Sequence, residues 1–367
     1  MKNFLWHAVR RLLFAMEPEK AHNLVICALN YGILGVRQQV TNKVLRLSVA
    51  SIDFPNPLGM AAGFDKDAKI SDAILKLGFG FVEIGTITPL PQKGNVQPRM
   101  FRLPQDQAII NRMGFNNAGY DVACKRLAAH RGDGRIIGIN IGTNKDSSNR
   151  IADYVRGIEY CYHVSNYFAL NVSSPNTLGL RSLQERDNLR LLLDEIFLVR
   201  DRKMDETGRF CPIFLKIAPD FTEKELDDIA TEVLSSKLDG LIVANTTVLR
   251  TTGLAKKHKH AHESGGLSGV PLFQLSTTVL AKMRKRLGRK YPLIGVGGIT
   301  NTETALEKIR AGADLLQLYS GLIYHGPNIA KDILEGFIST CYRDGVNNIA
   351  EYRDQHLEKW ANKSMEL

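Results

Sequence analysis

Short apolar runs alternate with amphipathic stretches along most of the chain. The runs fall at 58–62, 81–85, 136–139, 168–171, 213–217, 241–244, 293–296 and 315–318, each four or five residues long. A stretch with helical spacing separates each run from the next, the pattern of parallel βα units. Eight such units predict an α/β fold, a (β/α)8 TIM barrel occupying residues 41–345. Additional β pieces are expected at 45–54 and 97–110, where proline and turn residues cut the chain. The charged segment 346–367 reads as a C-terminal tail, helical around 351–361.

A different pattern precedes the barrel. Over residues 2–16, Leu5, Val9, Leu12 and Met16 recur at helical spacing while Lys2, Arg10 and Arg11 fall toward the other side, an amphipathic helix. Glu17-Pro18-Glu19 breaks it and starts a second helix, with proline in the first turn and acids at the N-terminus. That helix carries Leu24, Val25, Ile26, Leu29 and Ile33 and ends near Gly35. Neither reaches the roughly 20 apolar residues of a transmembrane span. The pair, within residues 1–40, either packs on the barrel or lies on a membrane surface.

Charge sharpens the second option without deciding it. The net charge is +10, and residues 1–50 hold seven basic and two acidic side chains, so half of the excess sits there. A basic end suits an anionic membrane surface or a nucleic acid. The five cysteines (Cys27, Cys124, Cys161, Cys211, Cys341) are scattered and contain no Cys-x-x-Cys pair. That argues against a disulfide framework or a zinc site, and for a reducing compartment.

In barrels of this class chemistry sits at the C-terminal ends of the strands. Those positions hold Gly63 and Lys66, Thr86, Asn140, Asn171, Lys216, Asn245 and Thr246, Gly297 and Gly298, and Tyr319 and Ser320. Asparagine and lysine are depleted in strands, so their convergence on one mouth predicts a ligand site. Amides that donate and accept suit a flat ring with alternating N–H and C=O groups. No cluster of histidines and carboxylates supports a metal. Gly295-Val-Gly-Gly298 and Ser320-Gly321 form a candidate phosphate pocket. A phosphate plus a planar heterocycle is what FMN presents. Lys256-Lys-His-Lys-His-Ala-His262 reads as a solvated loop.

Six segments then carry a resemblance, in order along the chain: Ala61-Ala-Gly-Phe-Asp-Lys66, Asn111-Arg-Met-Gly-Phe-Asn116, Asn171-Val-Ser-Ser-Pro-Asn-Thr-Leu-Gly-Leu-Arg181, Leu215-Lys-Ile-Ala-Pro-Asp220, Gly265-Gly-Leu-Ser-Gly269 and Gly295-Val-Gly-Gly-Ile299. They resemble the dihydroorotate dehydrogenases, whose cytosolic branch uses a cysteine base and whose membrane branch uses serine and an N-terminal helix pair that forms a quinone tunnel. Ser174 stands at the base position, with no cysteine between Cys161 and Cys211. The resemblance therefore implies the membrane-associated, quinone-reducing branch, and turns the helix pair into a membrane and quinone module.

It also implies roles. Ser174 would be the catalytic base in the oxidation of dihydroorotate to orotate. Lys66, Asn111, Arg112, Met113, Gly114, Phe115, Asn171, Asn176, Asn245 and Thr246 would bind substrate. Ala61, Ala62, Gly63, Phe64, Asp65, Thr86, Asn140, Asn171, Lys216, Gly269, Gly298, Tyr319 and Ser320 would hold FMN, with Lys216 at the N1–O2 edge. His22, Arg102 and Tyr319 would stand on the side of ubiquinone or menaquinone. Ala244 departs from the usual threonine and removes one hydrogen bond near the flavin, worth roughly 1 kcal/mol. The rival FMN barrel, a tRNA dihydrouridine synthase, needs a cysteine acid in place of Ser174 and a basic mouth. No nucleic-acid partner is expected, and either a monomer or a homodimer fits. The expected location is peripheral, on the cytoplasmic face of a bacterial inner membrane.

Overall fold

The computed structural model describes residues 2–33, 40–129, 134–177, 179–250, 254 and 259–365. Two helices lead. α1 (Lys2–Ala15) and α2 (Pro18–Asn30) are joined at Glu17, whose carboxylate accepts the N–H groups of Glu19 (3.0 Å) and Lys20 (2.9 Å) and so caps α2. α2 ends at Asn30, ahead of the predicted Gly35, which lies outside the described residues.

A hairpin, β1 (Leu47–Val49) with β2 (Ile52–Phe54), precedes the first two barrel strands, β3 (Leu58–Met60) and β4 (Phe81–Ile87). The chain then forms β5 (Met100–Leu103) and β6 (Ala108–Asn111) before returning to the barrel. There it makes β7 (Ile137–Ile141), β8 (Tyr167–Asn171), β9 (Ile213–Ile217) and β10 (Gly240–Val243). β11 (Gly266–Gly269) leaves to pair with β6, and β12 (Leu293–Val296) and β13 (Leu315–Leu318) finish the barrel. The closed order is β10-β12-β13-β3-β4-β7-β8-β9, all parallel, at the eight predicted runs. The expected β pieces near 45–54 and 97–110 are the hairpin and the β5–β6 pair. β11 was read only as a glycine motif, because Gly-Leu-Ser-Gly has none of the β-branched residues that mark strands.

Alternation along each strand separates a barrel interior from a shell packed under the helices. Inside, large residues face glycines on neighbouring strands. A Cβ on Gly59 would lie 2.3 Å from the Phe81 ring, one on Gly138 2.0 Å from the Tyr167 ring, and one on Gly240 2.5 Å from the Phe214 ring. Three aromatics thus fill the lower barrel because their neighbours have no side chain, and Phe54 of the hairpin closes it against Phe81 (5.1 Å between ring centres).

Two findings correct the sequence reading. Cys124 and Cys161, on the packed helices Tyr120–Ala128 and Arg150–Cys161, form a disulfide pair (Cα–Cα 6.0 Å). Their separation of 37 residues hid this, since only helix packing brings them together. The segment from 346 onward is also folded against the barrel. It forms a 3-10 turn at Ile349–Tyr352 and a short helix, Leu357–Ala361, whose Trp360 packs edge-on against Phe273 (5.8 Å).

Glu307, on the helix Thr302–Arg310, anchors that segment through Trp360 Nε1 (2.7 Å), His356 Nδ1 (2.8 Å) and Lys359 Nζ (2.9 Å). Burial alone would raise its carboxyl, but these partners bring it down to about 2. A depressed carboxylate contributes stability above its unfolded value and loses it as pH falls toward the folded value. Glu307→Gln should therefore cost about 2 kcal/mol at neutral pH. Thermal unfolding will read this as a Tm lowered by several degrees, with the gap to wild type closing as the medium is acidified below the ordinary carboxylate range.

Candidate active site

The polar floor of the site lies one turn of the strand pleat above the aromatics. Glu83 follows Phe81 on the interior face of β4 and is fully buried. Its Oε1 accepts Asn140 Nδ2 (2.8 Å) and faces Lys216 Nζ at 3.6 Å; its Oε2 accepts Gln317 Nε2 (2.7 Å) and Tyr167 OH (3.2 Å). Burial, and after it the Glu83 charge, hold the Tyr167 phenol well above its usual range, so it remains a donor. A buried carboxylate is tolerated only with such a full set of partners. Four strands besides its own supply them: β7, β8, β9 and β13.

Above this floor the strand ends present a row of amides. Asn140 Oδ1 accepts Thr86 Oγ1 (2.5 Å) and Asn171 Nδ2 (3.2 Å). Asn171 Nδ2 also donates to Thr86 Oγ1 (2.8 Å), and Asn171 Oδ1 accepts Asn245 Nδ2 (3.2 Å). Asn245 Nδ2 reaches Ser173 Oγ (3.0 Å), which places Ser173 in the framework. Each amide is thus oriented by another.

A cavity opens over this row. Ser174, in the loop after β8, is buried on its wall, and its Oγ accepts the N–H of Asn176 (3.3 Å). Asn176 Nδ2 approaches Asn111 Oδ1 at 3.5 Å. Lys66 Nζ donates to the Gly63 carbonyl (2.9 Å), and burial pushes its ammonium down to about 8. One wall comes from the sheet β5–β6–β11, which supplies Asn111, Ser268 and Gly269. Ser268 and Ser320 share a hydroxyl hydrogen bond of 2.9 Å. The far end is a glycine corner where Gly298 has φ +74° and a Cβ would strike Phe273 at 2.4 Å. Next to it starts the helix Ser320–His325, whose first N–H groups have no partner within the helix.

The structure brings together, on this one cavity, Ala61, Ala62, Gly63, Lys66, Thr86, Asn111, Met113, Gly114, Phe115, Asn171, Ser174, Asn176, Lys216, Asn245, Thr246, Gly269, Gly298, Tyr319 and Ser320. Ala244 lines it with a bare methyl. Others named from sequence lie elsewhere. Asn140 is buried beneath the wall. Asp65 turns its carboxylate to Lys69 N (2.7 Å), Ile70 N (3.0 Å) and Ser71 Oγ (2.9 Å), bracing its own loop. Arg112 points outward, paired with Glu263 (2.8 Å) and lying over the Phe101 ring (4.7 Å). Gly297 and Gly321 of the candidate phosphate pocket also line the wall, while sequence reasoning gave no site role to Ser268 there or to Glu83 below it. A glutamate inside an apolar run was the available signal.

The residues expected on the quinone side flank the helix pair. His22 of α2 packs edge-on against Phe64 (5.2 Å), and Phe64 against Tyr319 (5.6 Å), a chain of rings from α2 to the cavity. Burial, then the Lys66 charge, push the His22 imidazole down to about 3, so it is neutral. Arg102 of β5 donates to the carbonyls of Leu13 (2.9 Å) and Met16 (2.8 Å) and lies over the Phe14 ring (4.8 Å), tying α1 to the sheet. Among the described residues no helix is long and apolar enough to cross a membrane, and no group of three His, Cys, Asp or Glu could hold a metal ion. Of the 256–262 loop, residues 256–258 lie outside the described ones; Lys259 and His262 are exposed, as expected of a solvated loop, while Ala261 is buried and the His260 ring lies tilted against Phe101 (5.1 Å).

Comparison with known proteins gives one consistent result. A family model described as dihydroorotate dehydrogenase matches residues 44–340. A protein of Rhizobium johnstonii named dihydroorotate dehydrogenase (quinone) is 56% identical over 352 residues, 96% of both chains. One of the same name from Brucella anthropi is 54% identical over 360 residues, 97% of both. A crystal structure of DHODH in complex with ferulenol from Eimeria tenella superposes with a TM-score of 0.87 at 38% identity, covering 92% of this chain and 95% of that one.

The floor yields a stability prediction. Glu83→Ala strands the Lys216 ammonium in the interior, which costs roughly 3–5 kcal/mol. Denaturant unfolding should report a loss of that size, with Glu83→Gln losing less because it keeps the hydrogen bonds to two donors.

Proposed function

The chain belongs to the dihydroorotate dehydrogenase family, and on that footing we propose that it oxidises (S)-dihydroorotate to orotate, a step of pyrimidine synthesis, with FMN as hydride acceptor and a quinone as final electron acceptor. The observation that carries this reading is one cavity with four asparagine amides, two lysines, a buried serine and a glycine corner at the C-terminal ends of the strands.

The donor set fits FMN. Backbone N–H groups near Gly298, Ser320 and Gly321 suit its phosphate, and the Lys216 ammonium suits the N1–O2 edge, where reduction adds negative charge. Thr86, Asn171, Gly63 and Tyr319 line the space between, while Asn140 acts through the amides it orients. When bound, FMN supplies a two-electron acceptor for the hydride from C6 of the substrate.

The chain's own residues do the rest. Lys66 pairs with the substrate carboxylate, and Asn111, Asn171, Asn176, Asn245 and Thr246 hydrogen-bond the ring, holding one face toward Ser174. Met113, Gly114 and Phe115 shape the wall, whereas Arg112 does not line it and turns its side chain to Glu263. Ser174 Oγ takes the C5 proton. Serine is a weak base in water, so this works only where water is excluded and fixed dipoles hold the developing charge.

Residues 1–40 serve as the membrane and quinone module. Leu12, Leu24, Tyr31 and Ile33 are more than half exposed, an apolar surface that suits a bilayer interface. Arg11 and Lys20, both exposed, suit anionic headgroups. The neutral His22, with Arg102 and Tyr319, gives polar contacts for ubiquinone or menaquinone. The protein is then peripheral, at the cytoplasmic face of a bacterial inner membrane.

The purified protein should be yellow, bleach with dihydroorotate and recover with a ubiquinone analogue; a spectrum unmoved by dihydroorotate contradicts the reading. Ser174→Ala should slow bleaching by about 10²–10⁴-fold with FMN retained. Near-normal bleaching by that variant places the base elsewhere. Because Lys66 carries its charge below about 8 and loses it above, orotate affinity should fall as pH rises through that value. Orotate titrations followed by flavin absorbance will show whether Lys66→Met removes that pH dependence.

A further inference from the structure

α2 does more than border the quinone side. Glu19, in its first turn, is buried, and its carboxylate forms a two-point pair with Arg99: Nη2 to Oε1 at 2.6 Å and Nε to Oε2 at 3.0 Å. Gln97 Nε2 adds a third bond at 2.9 Å. Burial alone would raise the Glu19 carboxyl, but Arg99, with Gln97 and Lys66 behind it, holds it below its ordinary value. The remaining arm of Arg99 is also used, since Nη1 donates to the carbonyls of Lys93 (2.6 Å) and Asn95 (2.8 Å). The guanidinium is therefore a rigid fork with one end in the helix and the other in the loop after β4.

That loop reaches the cavity. Asn95 accepts from Arg99 through its carbonyl and donates from Nδ2 to the carbonyls of Arg112 (3.0 Å) and Asn176 (3.2 Å). Its own N–H bonds the Met113 carbonyl (3.0 Å). Asn176 in turn gives its N–H to Ser174 Oγ (3.3 Å) and points Nδ2 at Asn111 (3.5 Å). The contact is too close to slacken: a Cβ on Gly114 would meet Asn95 Cγ at 2.8 Å, and one on Gly94 would meet Met113 O at 2.3 Å. An unbroken series of hydrogen bonds runs from α2 to the serine.

We propose that Glu19, Arg99 and Asn95 are positioning residues for the dihydroorotate half-reaction, through which the seating of α2 on the barrel sets the placement of Asn176 and Ser174. None of the three is needed for proton or hydride transfer. Losing Glu19 leaves Arg99 a buried, uncompensated cation that must re-aim, and the 93–95 loop then loses its hold on Asn176. The proposal rests on Ser174 acting in dihydroorotate oxidation, as argued above.

The test separates the two half-reactions of the FMN-loaded protein. Anaerobic stopped-flow absorbance measures bleaching by saturating dihydroorotate and, separately, reoxidation by a short-chain ubiquinone. Asn95→Ala and Glu19→Gln should each slow bleaching by roughly tenfold to a hundredfold, the effect of a small misplacement of reacting groups. Asn95→Ala should leave reoxidation at the wild-type rate. Combined, the two should slow bleaching no more than the worse single variant, because they break one series. Bleaching at the wild-type rate in Asn95→Ala, or a double variant whose defect is the product of the singles, overturns the proposal. So does a Glu19→Gln defect confined to reoxidation. If Glu19→Gln does not fold, Asn95→Ala alone decides. If the wild-type protein itself is not bleached, it is the proposed activity that fails.

Discussion

Glu83 constrains the molecule more than any other side chain. A carboxylate sealed inside a barrel must have every lone pair answered, and the answers come from four different strands: Asn140, Tyr167, Lys216 and Gln317. Those partners are consequently gathered around one carboxylate at the top of the aromatic layer. Asn140 then orients Thr86 and Asn171, and Asn171 orients Asn245. The amides that face the cavity are therefore set by a charge that never reaches it. In the proposed function this preorganisation is what would let a weakly basic hydroxyl act, because the dipoles around it need not move.

The lower barrel is the counterpart of that polar floor. Gly59, Gly138 and Gly240 leave room for Phe81, Tyr167 and Phe214, so the interior is filled rather than hollow. Water is kept from below, and the ligand space is confined to the upper mouth. The sheet β5–β6–β11 adds a wall there and also receives α1, through Arg102 and the carbonyls of Leu13 and Met16. The cavity wall and the helix pair share this small sheet, and the Phe64 and Tyr319 rings stand between His22 and the cavity.

Much of this was legible from sequence. The eight strands announced themselves as apolar runs, and the residues at their ends, Lys66, Asn171, Lys216 and Asn245 among them, do meet on one cavity. What sequence could not report was direction and partnership. Arg112 sits between two cavity residues yet points to Glu263, because alternation along an extended segment turns it outward. Asp65 was expected to hold FMN but braces its own loop. Glu83 drew no reading inside the apolar run 81–85, and Glu19 looked like an ordinary helix-start acid, until partners from distant segments appeared, Tyr167 and Arg99 among them. The Cys124–Cys161 pair was hidden for the same reason. Pairwise partners across the fold are set by topology, which a linear pattern does not encode.

The proposed function has one barrel mouth couple a dihydroorotate site to a quinone-facing helix pair. Its most direct test is stoichiometric: purified protein is given dihydroorotate and a short-chain ubiquinone without oxygen, and orotate and quinol are quantified together. The account predicts one orotate for each quinol, with neither formed when either reactant is left out. Orotate formed only with fumarate or NAD, or none at all, would contradict it.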